Sequence, residues 1–459
     1  MSAMKEGSPF PPGPKFVFGA YFAFYRDTLG YLQRVTRRYG DIVHMAAGAH
    51  HDYVIAHPDY VETAILADEK KLLRSIHRPL KRLFGKGLLG SQGEFHASQR
   101  RLIQPFFHRQ RIAAYTPPVV EYSQRLNTRW RDAQIVDIAQ EMTRLTMAII
   151  VKVLFGADVE NGAREIARNL ETIVAMTNRT KIPFHSARKF AEARAKLDEF
   201  IYRLIDEHRR ANLAQPDFLS ALLNLQTAEG SAAGQSDEQI RDEAMTMFVA
   251  GHETVASAMA WTWYLLSVHP DVQARVQHEL DAVLERRIPA LEDLPRLTYT
   301  AMVFSESMRL YPPVWVMTRR SVGEFRLGEY DVPAGSYIHI CQYLLHRDSR
   351  FFPDPDRFDP MRWTPEAAAA RPKYCYFPFG AGSRKCVGDN FAFVEGMLIL
   401  AILAQHWTMR LVSGRNPKPQ PLVSLRPPDG MMIELRRRSP AEAEKISGRA
   451  PASAEVKMH

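Results

Sequence analysis

The chain has 459 residues, of which 46% are hydrophobic and 24% charged, a composition that suits a large packed core and excludes fibrous, disordered and low-complexity classes. Its three cysteines, Cys341, Cys375 and Cys386, are too few and odd in number for a disulfide framework, so a reducing, cytoplasmic location is expected. The formal charge of +9 is dispersed, and its densest run, Arg436-Arg437-Arg438, lies outside any aromatic-interleaved surface, which argues against nucleic acid.

Residues 1–15 contain Pro11-Pro12-Gly13-Pro14 and read as a stiff, extended lead-in. Phe16 to Tyr25 is about half as long as a membrane span requires, so neither an anchor nor a signal peptide is expected. Asp41 to Met45 and His51 to Ile55, on either side of Ala46-Ala47-Gly48, predict a hairpin. Helical spacing dominates residues 56–310.

The clearest helix starts at Ser236, whose S-x-x-Q spacing to Gln239 suits a capping box, and runs to His269 before Pro270. It should be about 48 Å long at about 1.5 Å per residue. Met245-Thr246-Met247-Phe248-Val249-Ala250 is apolar nearly all round, so this helix belongs in the core of a large domain. Phe325 to Leu327, Tyr330 to Val332 and Ser336 to Ile340 predict a small antiparallel sheet. Residues 439–459 lack apolar periodicity and read as a disordered tail. The fold class is predominantly α with a small β lobe, residues 16–438 forming one domain.

Three segments carry chemistry. In the long helix, Gly251-His252-Glu253-Thr254 sets an acid and an alcohol in an apolar run; a threonine there can also bond back to its i−4 carbonyl and bend the helix. Glu306 and Arg309 share a helix face by their i, i+3 spacing, although the same spacing recurs at Glu141/Arg144 and elsewhere. Phe379-Gly380-Ala381-Gly382-Ser383-Arg384-Lys385-Cys386-Val387-Gly388 places a cysteine in a glycine-rich loop that opens onto a helix. Gly380, Gly382 and Gly388 can bring N–H groups to sulfur, and the helix N-terminus favours a thiolate poised for a metal. A cysteine without this setting is usually a small buried hydrophobe.

The F-x-x-G-x-R-x-C-x-G pattern resembles the haem-ligand loop of the cytochrome P450 family, and the resemblance extends from Pro11 to about Leu435 with its motifs in order. It implies haem b with Cys386 as the axial iron ligand, held between the long helix and the helix after Cys386 within a single-domain fold. Phe379, Gly380, Gly382, Arg384 and Gly388 would shape the loop, with Ala250 against the haem. Gly251 would make room for O2, Thr254 would hydrogen-bond it, and Glu253 would feed protons. His96, standing where the family has tryptophan, Arg100, Arg320 with Arg319 its neighbour, and Arg384 would meet the propionates.

Phe352-Pro353-Asp354-Pro355-Asp356-Arg357-Phe358 resembles the family segment that would make Glu306, Arg309 and Arg357 a buried ionic triad. Val249, Val314, Trp315, Val316, Met431 and Met432 would line a greasy pocket. The implied reaction is monooxygenation of a hydrophobic small molecule, terpenoid or fatty-acid-like, by a monomer. No nucleotide-binding fingerprint is present, so electrons from NAD(P)H would arrive through a separate reductase and an acidic ferredoxin near Lys385. The competing readings are a peroxide-driven peroxygenase, disfavoured by the absence of Arg or Lys in Met245 to Ala260, and a non-enzymatic haem sensor or carrier, disfavoured by the lack of an output domain.

Overall fold

The computed structural model of the protein describes residues 10–14, 18–47, 50–67, 70–158, 166, 168–173, 184–211, 217–227, 236–412 and 417–438. The expected tail at 439–459, most of the lead-in and the hairpin residue Gly48 lie outside them.

The long helix, Asp237–Val268, is the beam of the fold. Ser236 caps it by accepting from the Gln239 backbone N–H at 3.2 Å. The capping box does not close: the Gln239 side chain donates instead to Lys86 O and Glu243 Oε1, tying the helix to a neighbouring loop. Nearly every residue from Gln239 to Leu266 is buried, including Trp261 and Trp263, as an all-round apolar sequence requires.

Ile138–Phe155 packs along the beam. Asp137 caps its start, and Gly156, at φ 61°, ends it in the left-handed conformation that glycine adopts without strain. Asp389–His406 runs beside Arg109–Arg129 in the same direction: Phe391 meets Tyr115 edge-on, and farther along Trp407 meets Trp130 and donates to Asn127 Oδ1 at 2.7 Å. Gly396 allows the approach of Thr298–Leu310, since a Cβ there would lie 2.4 Å from the Phe304 ring.

The expected hairpin forms as Ile42–Ala47 and His50–Ile55, paired antiparallel. Phe325–Leu327 pairs with Tyr330–Val332, but the third expected partner departs from them. Tyr337–Ile340 instead joins a five-stranded mixed sheet, parallel to His50–Ile55 and antiparallel to Met317–Ser321, whose other neighbour is Leu72–Ser75. Pro333-Ala334-Gly335 thus ends a hairpin and carries the chain to another sheet. Among the described residues, no helix is long and apolar enough to cross a membrane.

Candidate functional site

Cys341 and Cys375 are buried, and burial pushes their thiols up to about 12 and about 11, so both are inert. Cys386 is exposed. Its backbone N–H donates to Phe379 O at 2.9 Å, closing the loop across Gly380 and Gly382, whose φ values of 70° and 68° favour glycine. At Gly382 a Cβ would also lie 2.9 Å from Ile65. Gly388 has neither constraint: it sits at φ −97° and a Cβ would make ordinary contact with Phe107.

The protein does not by itself ionise Cys386. The Gly388 N–H, Arg100 and Lys385 favour a thiolate, but burial outweighs them and the thiol is pushed up. A cation bound at the sulfur would supply the charge that ionises it.

Guanidinium groups gather around this sulfur. Arg100 Nη1 donates to Lys385 O at 2.6 Å, and Arg384 Nη1 donates to Ser91 O at 2.9 Å, so helix Gly93–Ile103 and its entry are tied to the cysteine loop from two sides. His96 is buried one turn before Arg100. Arg319 is buried while Arg320 is exposed, which favours Arg319 of the two neighbouring candidates. Strand alternation is the reason: Met317, of the same parity as Arg319, sits 3.5 Å from where a Gly380 Cβ would be, so that face meets the loop and Arg320 points away.

Arg74, not singled out from the sequence, lies opposite Arg319 in register. Burial and the charges of Arg319 and Arg384 push it down to about 9, while Cys386 pulls the other way. Like charges directly opposite destabilise a sheet, so this pair suits a multiply charged anion. The thiol in its glycine loop and the arginines clustered about it fit a haem with its propionates.

On the long helix, the only residues between Gln239 and Leu266 that are not buried are Ala250, Gly251 and Thr254, a patch on one face. Thr254 Oγ1 donates to Ala250 O at 2.9 Å, the bend-forming back-bond. Gly251 also meets a packing demand: a Cβ there would lie 2.7 Å from Ile150 Cδ1 of the neighbouring helix. Glu253 points elsewhere than Thr254, accepting from Ser424 Oγ at 2.9 Å and Arg426 Nε at 3.1 Å in a buried cluster.

Glu306 and Arg309 are fully buried and joined by two parallel 2.8 Å bonds. Their expected third member is wrong. Arg357 is exposed and contributes only its carbonyl, 3.1 Å from Arg309 Nη2. The cation at Glu306 is Arg362, Nε to Oε1 3.4 Å, alongside a bond from Trp363 Nε1. Pro360-Met361-Arg362-Trp363 repeats the Pro-x-Arg-aromatic spacing of Pro355-Asp356-Arg357-Phe358, and that repeat was the available signal.

The expected pocket residues divide. Val249 and Met431 are buried in the main core, and Trp315 and Val316 pack on a smaller cluster, with Trp315 Nε1 donating to Leu422 O at 2.9 Å. Val314 and Met432 are half-buried.

The family model described as Cytochrome P450 matches residues 9–435. A Streptomyces melanosporofaciens protein named Cyclooctatin synthase is 37% identical over 84% of this chain and 87% of its own. Another from the same organism, named Cyclooctat-9-en-7-ol 5-monooxygenase, is 36% identical over 88% of this chain and 90% of its own. The crystal structure of a mutant cytochrome P450 haem domain superposes with a TM-score of 0.85 at 24% identity, covering 95% of this chain and 99% of that one.

Proposed function

The chain belongs to the cytochrome P450 family and is a haem-thiolate monooxygenase, and from that premise we propose that it oxygenates an uncharged, cyclic, terpenoid-like small molecule in the cytoplasm, with electrons from a separate ferredoxin-type partner. The observation that carries the substrate class is the similarity over most of both chains to a relative named for oxidation of cyclooctat-9-en-7-ol. The absence of Arg and Lys from Met245 to Ala260 supports an uncharged substrate over a fatty acid.

Haem, when bound, supplies the iron at which one atom of O2 enters the substrate while the other leaves as water. Residues 16–438 would form the domain that holds it, with Cys386 as the thiolate ligand. Arg74, Arg100, Arg319 and Arg384, with His96, would take the propionates, so that buried guanidinium charge is neutralised where it accumulates. Ala250 and Thr254 would present the accessible patch of the long helix to substrate and O2. Thr254 carries a hydroxyl that can keep its bond to Ala250 O or turn outward to hold a proton for oxygen. Glu253 would supply protons from its cluster with Ser424 and Arg426.

Electrons need a docking face. Lys385, half-exposed beside Cys386 and 2.5 Å from Asp389, would contribute to a basic surface for an acidic ferredoxin that a reductase recharges from NAD(P)H. Turnover should therefore slow as ionic strength rises.

The test is spectral titration of the oxidised protein with cyclic terpene alcohols and with fatty acids, followed by turnover with NAD(P)H, ferredoxin and reductase. Saturable spin-state shifts and a product one oxygen heavier are expected from the terpenoids. Shifts from fatty acids alone would overturn the substrate assignment, and a reduced carbon monoxide complex lacking the red-shifted band of thiolate-ligated haem would overturn Cys386 as ligand.

A further inference from the structure

A polar stripe runs along the first turns of the long helix. Gln239, Asp242, Glu243 and Thr246 recur at i, i+3, i+4 and i+7 and so share one face, yet all four are buried. A buried polar face needs hydrogen-bond partners, and here the partner is a backbone loop. Glycines in Gly85-Lys86-Gly87-Leu88-Leu89-Gly90 let that loop lie directly on the stripe. Cβ atoms at Gly85 and Gly87 would sit 2.0 Å from Asp242 Oδ2 and 2.3 Å from Thr246 Oγ1.

Main-chain groups close the clamp. Lys86 N–H donates to Asp242 Oδ2 at 2.7 Å, Leu88 N–H donates to Glu243 Oε2 at 2.8 Å, and Lys86 O accepts from Gln239 Nε2 at 3.3 Å. Arg241, beside the stripe, donates to Leu83 O and to Asp242 Oδ1, both at 2.7 Å.

The far end of the loop reaches the arginines about Cys386. Gly87 O accepts from Gly90 N–H at 2.8 Å and from Ser91 N–H at 2.9 Å, which makes the loop one hydrogen-bonded unit. Ser91 O accepts from Arg384 Nη1 at 2.9 Å, and Gln92 Nε2 donates to Arg74 O at 3.1 Å. Gln92 also leads into Gly93–Ile103, the helix of His96 and Arg100. We propose that Asp242 and Glu243 are positioning residues of the haem site: by holding Lys86 and Leu88 they fix Ser91 and Gln92, and so aim Arg384 and seat Arg74 toward the propionates. The proposal rests on the haem-thiolate reading of Cys386, which the carbon monoxide spectrum tests separately. Because the effect travels through backbone, it needs an acceptor atom at residue 243 and not a charge.

The experiment is resonance Raman spectroscopy of the haem-loaded protein, read at the propionate bending modes, with melting temperature and the rate of haem transfer to an acceptor protein recorded alongside. Glu243→Ala and Asp242→Ala should shift the propionate modes and speed haem transfer about 10-fold, the worth of one hydrogen bond. Glu243→Gln keeps an acceptor for Leu88 N–H and should restore both. Val276→Ala, a core truncation on helix Pro270–Leu284, should lower the melting temperature and leave the propionate modes in place. If the alanine variants at 242 and 243 do not accumulate with haem, Gln239→Ala decides the matter: it deletes the bonds to Lys86 O and to Glu243 Oε1 and should shift the same modes. The proposal is overturned by unmoved modes in the variants that fold, by an equal shift in Val276→Ala, or by failure of Glu243→Gln to restore them. A red-shifted carbon monoxide band in the same variants would show that the haem-thiolate reading survives that loss.

Discussion

Arg74 and Arg319 face each other in register across neighbouring antiparallel strands, on the sheet face that meets the cysteine loop. Burial and two neighbouring arginines push Arg74 down to about 9, so the folded protein holds positive charge there under strain. An anion between them converts that repulsion into binding. Arg319→Gln should therefore loosen haem about 10-fold or more, as expected for loss of one charged hydrogen bond, whereas Arg320→Gln should leave haem retention unchanged. The haem-to-protein ratio and the rate of haem transfer to an acceptor protein measure this; equal losses from the two variants would refute the assignment.

The Glu306 cluster separates three substitutions. Glu306→Ala strands a buried Arg309 and should cost about 3–5 kcal/mol, enough to prevent accumulation of haem-loaded protein. Arg362→Ala removes the cation beside Glu306 and should lower thermal stability measurably. Arg357→Ala deletes only an exposed side chain, since its carbonyl is what Arg309 uses, and should change stability by no more than about 0.5 kcal/mol. Thermal unfolding of the three variants gives the order, and a large loss at Arg357 would contradict the geometry.

What the sequence revealed follows a physical boundary. The cysteine loop and the long helix were legible because their signals are local: glycines at fixed offsets, a cap, an apolar run. Arg74 was not, because its meaning comes from strand register with residue 319, which no local pattern encodes. Arg319 and Arg320 are not separable from the sequence, because adjacent strand residues differ only in which face they take, and the Gly380 contact that orients the face is long-range. Arg357 was mistaken for Arg362 because two identical spacings stand five residues apart. The packing demand at Gly251 is not legible because the residue that imposes it, Ile150, lies on another helix.

That contact gives a paired prediction on the long helix. Gly251→Ala should collide with Ile150 and cost about 1–3 kcal/mol, with product formed per electron pair unchanged. Adding Ile150→Ala should recover part of that loss, giving a double-mutant coupling between the two sites. Thr254→Ala removes a hydroxyl from the accessible patch without burdening the core, so stability should hold while peroxide release rises several-fold at the expense of product. Melting temperature and peroxide yield distinguish the two outcomes; Thr254→Ala with full coupling would remove the proton role.

Glu243 supplies a pH dependence of stability independent of haem chemistry. Its carboxyl is fully buried, accepts from Leu88 N–H and from Gln239 Nε2, and is pushed up from 4.5 to about 8, chiefly by burial. Below 4.5 both folded and unfolded chains hold this proton, so the group adds no slope. Between 4.5 and about 8 the folded chain keeps a proton that the unfolded chain has released, so the Glu243 contribution to stability falls as pH rises and levels off above that range. Glu243→Gln retains a neutral group with an acceptor for Leu88 N–H, and Gln239 can turn its amide to meet the new NH2. The variant should lose that part of the slope and melt higher than the unaltered protein at pH values above about 8. Thermal unfolding across this range measures it, and parallel curves for the two proteins would show that Glu243 does not carry the proton.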